Sequence, residues 1–309
     1  MEISSAVDFL RMTRGALAGA GFVRQESEGT VWWVSGPSLD AHRESAPHPN
    51  PHPLPQAMKL PRGEGTREDE GSRRPDEGSP FWQNEMPTLV MLHGANDHAG
   101  TWFTVAPELA KRYRVILPDL AGHGESEPRS GPIPLSQMIA RLETAIGGER
   151  EVTLLGNSMG GWIAILYTLR HPERVKHLVL EASGGLNRPL AVPLVANTRE
   201  EAAIILRAVH GPAFVAPEWV AEALLQRASD SPMLRLTEML EHDVEPRLHE
   251  IRTPVTLIWG EHDGVLPLSY ARALHEAIAG SNLQVIEDAA HIPHMQQPRR
   301  FLECLTAIC

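Results

Sequence analysis

Cysteine is nearly absent from this 309-residue chain: Cys304 and Cys309 are the only two, and both fall at its C-terminal end. Two thiols in one short segment give no disulfide framework, so a reducing, cytoplasmic setting is expected. Basic residues are also short, 28 Lys and Arg against 39 Asp and Glu, for a formal net charge of -11. That deficit argues against nucleic acid and against anionic membrane surfaces, both of which select basic patches. No apolar run is long enough to span a bilayer, so no membrane insertion is expected. Residues Met1 to Asp8 carry acids where a signal peptide would have a basic and then an apolar region. The last residues match no prenylation signal.

What the chain does have is size and apolar content. At 42% hydrophobic it can bury a large core, enough for one α/β domain with an elaboration, or at most two domains. Val7 to Gly21 reads as a helix, and Phe22–Gln25 with Thr30–Val34 as a hairpin around Ser27-Glu28-Gly29. From Pro37 to about Pro80 the composition turns to Pro, Gly, Ser and charge. Such a stretch cannot bury enough surface to offset its ordering entropy and reads as a disordered insertion. Its alternating His and Pro, Pro47 to Pro53, read as a solvated polyproline-like loop.

Order returns at Pro87. Thr88–Leu92, Arg114–Leu117, Val152–Leu155, Val175–Leu180, Val255–Trp259 and Leu283–Ile286 are short apolar runs suited to buried strands. Helical segments at Leu135–Ile146, after Ser158, and at Ser269–Ile278 alternate with them. This rhythm predicts a mostly parallel, doubly wound α/β sheet with helices on both faces. Gly185 to about Glu250 breaks it with three helical runs, Ala202–Val209 behind a capping box at Thr198 and Glu201, Pro217–Ala228, and Pro232–Leu240. The expected organisation is residues 1–36 as first helix and hairpin, 37–86 as insertion, 87–184 and 251–309 as core, and 185–250 as a small helical cap.

Chemistry centres on Gly156-Asn157-Ser158-Met159-Gly160, a G-x-S-x-G pattern between a strand-like run and a helix-like run. The glycines let the backbone turn sharply and lift the Ser158 hydroxyl clear of the sheet. A serine hydroxyl needs a base, itself oriented by a carboxylate. Asp263 follows the strand ending at Trp259, and His291 follows the strand ending near Ile286. Both stand at the carboxyl edge of the predicted sheet, where ligands bind in open α/β folds. Glu181 is a rival carboxylate and His294 a rival base; the loop framed by Gly260 and Pro267 favours Asp263. After His93-Gly94, a turn can aim the Ala95 N–H toward the serine, and with the Met159 N–H it would form an oxyanion hole. His93, His98, His123 and His262 lack metal-ligand spacing and read as loop braces, so no metal or cofactor is expected. Asp119 and Ser126 read as turn residues, and Trp102 and Trp162 as core or pocket wall.

These pieces together resemble the α/β-hydrolase superfamily. The resemblance is carried by Leu92-His93-Gly94, Pro118 to Ser126, the elbow, Trp259 to Asp263, and Ala290 to Pro298, in family order. It implies Ser158, Asp263 and His291 as a catalytic triad. Gln296 departs from relatives that often carry glutamate there. A serine at the elbow excludes dehalogenase and epoxide hydrolase chemistry, which needs aspartate. The resemblance implies a serine carboxylesterase for small- to medium-chain esters. A carbon–carbon hydrolase of meta-cleavage products and a lipase are the alternatives. A hydrolase-fold protein that only binds ligands would typically lack a triad member, and here all three are present.

Overall fold

Leu89, Val90, Met91 and Leu92 follow one another without a polar break, and all four are buried. A strand pleats alternate side chains to opposite faces, so a continuous apolar run demands cover on both. The computed structural model, which describes residues 6–35, 86–239 and 242–306, supplies that cover. Contacts gather the described residues 6–35, 87–239 and 242–306 into one compact unit, which holds every strand of the main sheet. The predicted insertion lies almost wholly outside the described residues.

Eight strands form the sheet: β1 Phe22–Ser27, β2 Thr30–Ser35, β3 Thr88–Leu92, β4 Arg114–Pro118, β5 Val152–Asn157, β6 Val175–Glu181, β7 Val255–Gly260 and β8 Asn282–Ile286. Their order is β1-β2-β4-β3-β5-β6-β7-β8. Pairing is antiparallel for β1–β2 and β2–β4 and parallel everywhere else. From β3 the chain steps outward to β4 and then returns past β3 to β5. Loops leaving β3 and β5 therefore diverge, which opens a crevice at their carboxyl ends.

Helices α1 Ala6–Gly19, α2 Ala106–Leu109, α3 Leu135–Ile146, α4 Met159–Arg170, α5 Arg199–His210, α6 Glu218–Gln226, α7 Leu268–Ala277, α8 Pro293–Gln296 and α9 Pro298–Thr306 follow in chain order. On one face Val90, Leu92, Leu154 and Leu257 share a core with α3, α4 and α7. On the other, Leu89, Met91, Leu155 and Ile258 pack with α1, α2, α9 and a 3-10 turn at Ala99–Thr104. The apolar positions of α3, Leu135, Met138, Ile139, Leu142 and Ile146, recur at helical spacing and are all buried. The sheet is thus doubly wound, as its alternating pattern predicted.

Between β6 and β7 the chain leaves the sheet to form α5 and α6. Thr198 caps α5 by accepting the Glu201 N–H at 3.2 Å, and Glu201 accepts the Asn197 N–H at 2.7 Å in return. The helix expected over 232–240 does not form. Pro232–Arg235 is a 3-10 turn, and Leu236–Thr237 instead pairs in parallel with Ile133–Pro134. The Arg235 guanidinium donates to the carbonyls of Pro128, Arg129 and Gly131, so a tertiary tether outweighs the helical spacing. Leu240 lies outside the described residues. Among the described residues no helix is long and apolar enough to cross a membrane.

Candidate active site

Ser158 separates β5 from α4 with no intervening loop, and its backbone takes φ 53° and ψ -116°. That conformation is costly for a residue with a Cβ and persists only where the surroundings over-determine it. Here they do. The Ser158 N–H donates to Glu181 O at 3.0 Å, while its carbonyl accepts the N–H groups of Gly161, Trp162 and Gly184. Gly156 and Gly160 make the turn possible for a second reason, close approach. A Cβ on Gly156 would strike the Gly160 and Gly161 backbone, and one on Gly160 would strike the carbonyls of Leu92 and His93.

Asp263 and His291 meet as expected from their two loops. Asp263 Oδ2 accepts from His291 Nδ1 at 2.9 Å, and Oδ1 accepts the N–H groups of Val265 and Leu266, each at 2.9 Å. The carboxylate side chain is fully buried and the imidazole only 7% exposed. An ionised carboxylate can only accept, so Nδ1 carries the proton and Nε2 is left as the basic nitrogen. Among the described residues, no hydrogen bond joins the Ser158 hydroxyl to His291. The two segments are tied instead by Asn157, whose Nδ2 donates to His291 O at 3.1 Å and to Glu181 O at 3.4 Å.

The rival acid and base pair with each other. Glu181 accepts from His294 through both the ring Nδ1 and the backbone N–H, each at 2.9 Å, and both side chains are fully buried. The His294 Nε2 lies 3.1 Å from Thr101 Oγ1, and its ring stands 4.2 Å from Trp102. Sealed from any cavity surface, this pair pins the chain after His291 to the end of β6.

Ala95 and Met159 line the same cavity as Ser158. Met159 opens α4, so its N–H is one of the donors a helix start leaves unpartnered. The Ala95 N–H donates to no described residue. Gly94 presses against the elbow, since a Cβ there would stand 3.3 Å from Ser158 Cβ. The turn is held from behind by His93, whose Nδ1 donates to Gly94 O at 2.8 Å and whose Nε2 accepts the Leu120 N–H at 2.9 Å. Burial keeps His93 well below the ordinary imidazole range and pushes His123 down to about 4, so both are neutral braces. Asp119 accepts the N–H groups of Ala99 and Glu125, and Ser126 Oγ accepts that of Val31.

The cavity holds about 270 Å³ and is walled mainly by Met159, Trp162, Leu186, Met233, Met239 and Tyr270. Trp102 is wholly buried in the core, whereas Trp162 lines the cavity. Sequence reasoning missed Asn157, Met233, Met239 and the cross-link by Tyr270, whose hydroxyl bonds both the N–H and the carbonyl of Leu186. Only Asn157 carried a signal, its place inside the elbow motif.

The chain belongs to the alpha/beta hydrolase family, whose sequence profile matches residues 89–303. Its relatives include an uncharacterized protein of Mycobacterium tuberculosis, 28% identical over 251 residues that cover 70% of this chain and 73% of that one. Monoacylglycerol lipase abhd6-A of Xenopus laevis is also 28% identical, covering 71% of this chain and 74% of the relative. Among solved structures, a membrane phospholipase A described as a bacterial virulence factor superposes with a TM-score of 0.68. It is 22% identical and covers 98% of this chain and 92% of its own, a likeness of fold.

Proposed function

We propose that this hydrolase is a serine carboxylesterase that cleaves small- to medium-chain carboxylic esters through an acyl-enzyme. The observation that carries the reading is the buried Asp263–His291 pair, tied through Asn157 to the strained elbow that bears Ser158. His291 Nε2 takes the Ser158 proton as Oγ bonds to the ester carbonyl carbon. The carbonyl electron pair moves onto oxygen, which rests on the Ala95 and Met159 N–H groups. Collapse expels the alcohol, which leaves with the proton held by His291. Water then attacks the acyl-enzyme by the same route, releasing the acid and restoring Ser158.

The cavity supports the size class, because about 270 Å³ lies just below the span of roughly 300–1,000 Å³ usual for ligand sites. The monoacylglycerol lipase relative brings glycerol monoesters into the same class. The test is a p-nitrophenyl ester series from acetate to palmitate, with a monoacylglycerol and a ring-fission dienoate alongside. Rates should peak at short to medium chains. Ser158→Ala should lower kcat by roughly a thousandfold or more and abolish labelling by a fluorophosphonate. A Ser158→Ala protein with the wild-type rate, or turnover of the dienoate alone, overturns the reading.

A further inference from the structure

The last turn of α5 ends against the candidate site. A helix terminus leaves its final carbonyls without intrahelical donors. Here three consecutive ones are taken up by the site's own loops. Ala208 O accepts the Gly264 N–H at 3.0 Å, and Val209 O accepts the His291 N–H at 3.1 Å. His210 O accepts Gln296 Nε2 at 2.8 Å. The donors come from the residue after Asp263, from His291 itself, and from the end of α8. Gln296 closes the set, because its Oε1 accepts the Ala290 N–H at 2.7 Å.

Among these contacts Gln296 supplies the one side chain. It grips the peptide just before His291 with one atom and the end of α5 with the other. A primary amide suits both ends, whereas an ionised carboxylate has no proton for His210 O and an apolar chain serves neither. On the segments it ties, His291 pairs with Asp263, and His210, whose ring stacks on Phe214 at 4.2 Å, is held below its ordinary range by burial while Asp97 acts in the opposite direction.

We propose that Gln296 is a positioning residue for His291, clamping the histidine loop to the C-terminal turn of α5. The end of that helix then sets where the imidazole stands relative to Asp263 and Ser158. The proposal rests on the reading of Ser158 as a nucleophile served by His291.

The test uses the full chain with Gln296→Met and Gln296→Glu, measuring kcat and KM on p-nitrophenyl butyrate together with Tm. Gln296→Met should lower kcat roughly 10- to 100-fold while KM stays within about threefold, as expected of a displaced general base. Gln296→Glu should show a loss at about pH 8 that shrinks toward about pH 4, where the protonated carboxyl regains a donor. Amide exchange across residues 289–292 should quicken in both variants at the higher pH. A fall in Tm with kcat unchanged overturns the proposal, as does a Gln296→Glu deficit that is the same at both pH values. If the wild-type protein neither hydrolyses the ester nor labels at Ser158, the reading of the site fails instead. The clamp then stands or falls on amide exchange alone.

Discussion

Asp263 accepts three hydrogen bonds: one oxygen takes two backbone N–H groups and the other takes His291 Nδ1. In Asp263→Asn the amide must either turn its NH2 toward the N–H groups of Val265 and Leu266 or present it to His291 Nδ1. The second arrangement reverses the imidazole tautomer and removes the basic Nε2. We expect kcat for ester hydrolysis to fall about 10⁴-fold with KM little changed, the scale seen when a triad acid becomes an amide. Steady-state kinetics check this, and a loss below tenfold would show that the carboxylate only braces its loop. Glu181 and His294 satisfy the same chemical description from sequence yet are sealed in the interior. The second ring nitrogen separates the two pairs: His294 Nε2 lies 3.1 Å from Thr101 Oγ1, whereas His291 Nε2 has no partner among the described residues.

At the scale of elements, the elbow works because α4 can start directly against the end of β3. Gly160 is the point of contact, with the Leu92 and His93 carbonyls where a Cβ would be. Gly160→Ala must push α4 away from the sheet and should cost more than about 3 kcal/mol of unfolding free energy, the range of severe steric substitutions. Gly148→Ala is the control. Nothing lies within 4 Å of its added Cβ, and a change within about 0.5 kcal/mol is expected there. Urea unfolding of both measures the difference, and equal midpoints would refute the close-packing argument. The helix expected at Pro232–Leu240 marks the opposite case. Its apolar spacing was real, but Leu236–Thr237 found a partner strand and Arg235 a set of carbonyls. A local pattern over nine residues is weak against such long-range bonds.

Two expectations concern the whole molecule. His123 is buried neutral at about 4, against an unfolded value near 6.5. Its folded pKa is the lower one, so its contribution is complete above about pH 6.5 and is lost progressively as the pH falls toward 4. The loss amounts to roughly 3 kcal/mol, and His93 acts in the same direction. Unfolding free energy measured against pH should therefore fall less steeply over this interval in His123→Gln, and parallel curves would sink the idea. The second expectation follows from register. Val34 and Val90 both flank Ile116, so the end of β2 and the start of β3 lie two strand spacings apart, about 10 Å. A Gly-Ser linker of about eight residues spans that gap, and exchanging it for residues 38–85 should leave ester hydrolysis within about twofold. A collapse of activity would assign that segment a part in the site.

The sequence alone determined the layered sheet, because apolar runs of strand length alternating with amphipathic helices have few ways to bury both faces. It also placed Ser158, Asp263 and His291 at one sheet edge, since each follows a strand that runs in the same direction. Tertiary structure decided what depends on contacts between segments far apart in the chain. It paired Glu181 with His294, set Asn157 between the His291 loop and the end of β6, drew Met233 and Met239 into the cavity wall, and ended α5 on the loops of Asp263 and His291. Periodicity reports which face a residue turns to the core. It carries no information on which distant partner waits there, because that choice is made by three-dimensional proximity and by the need to satisfy each buried polar group.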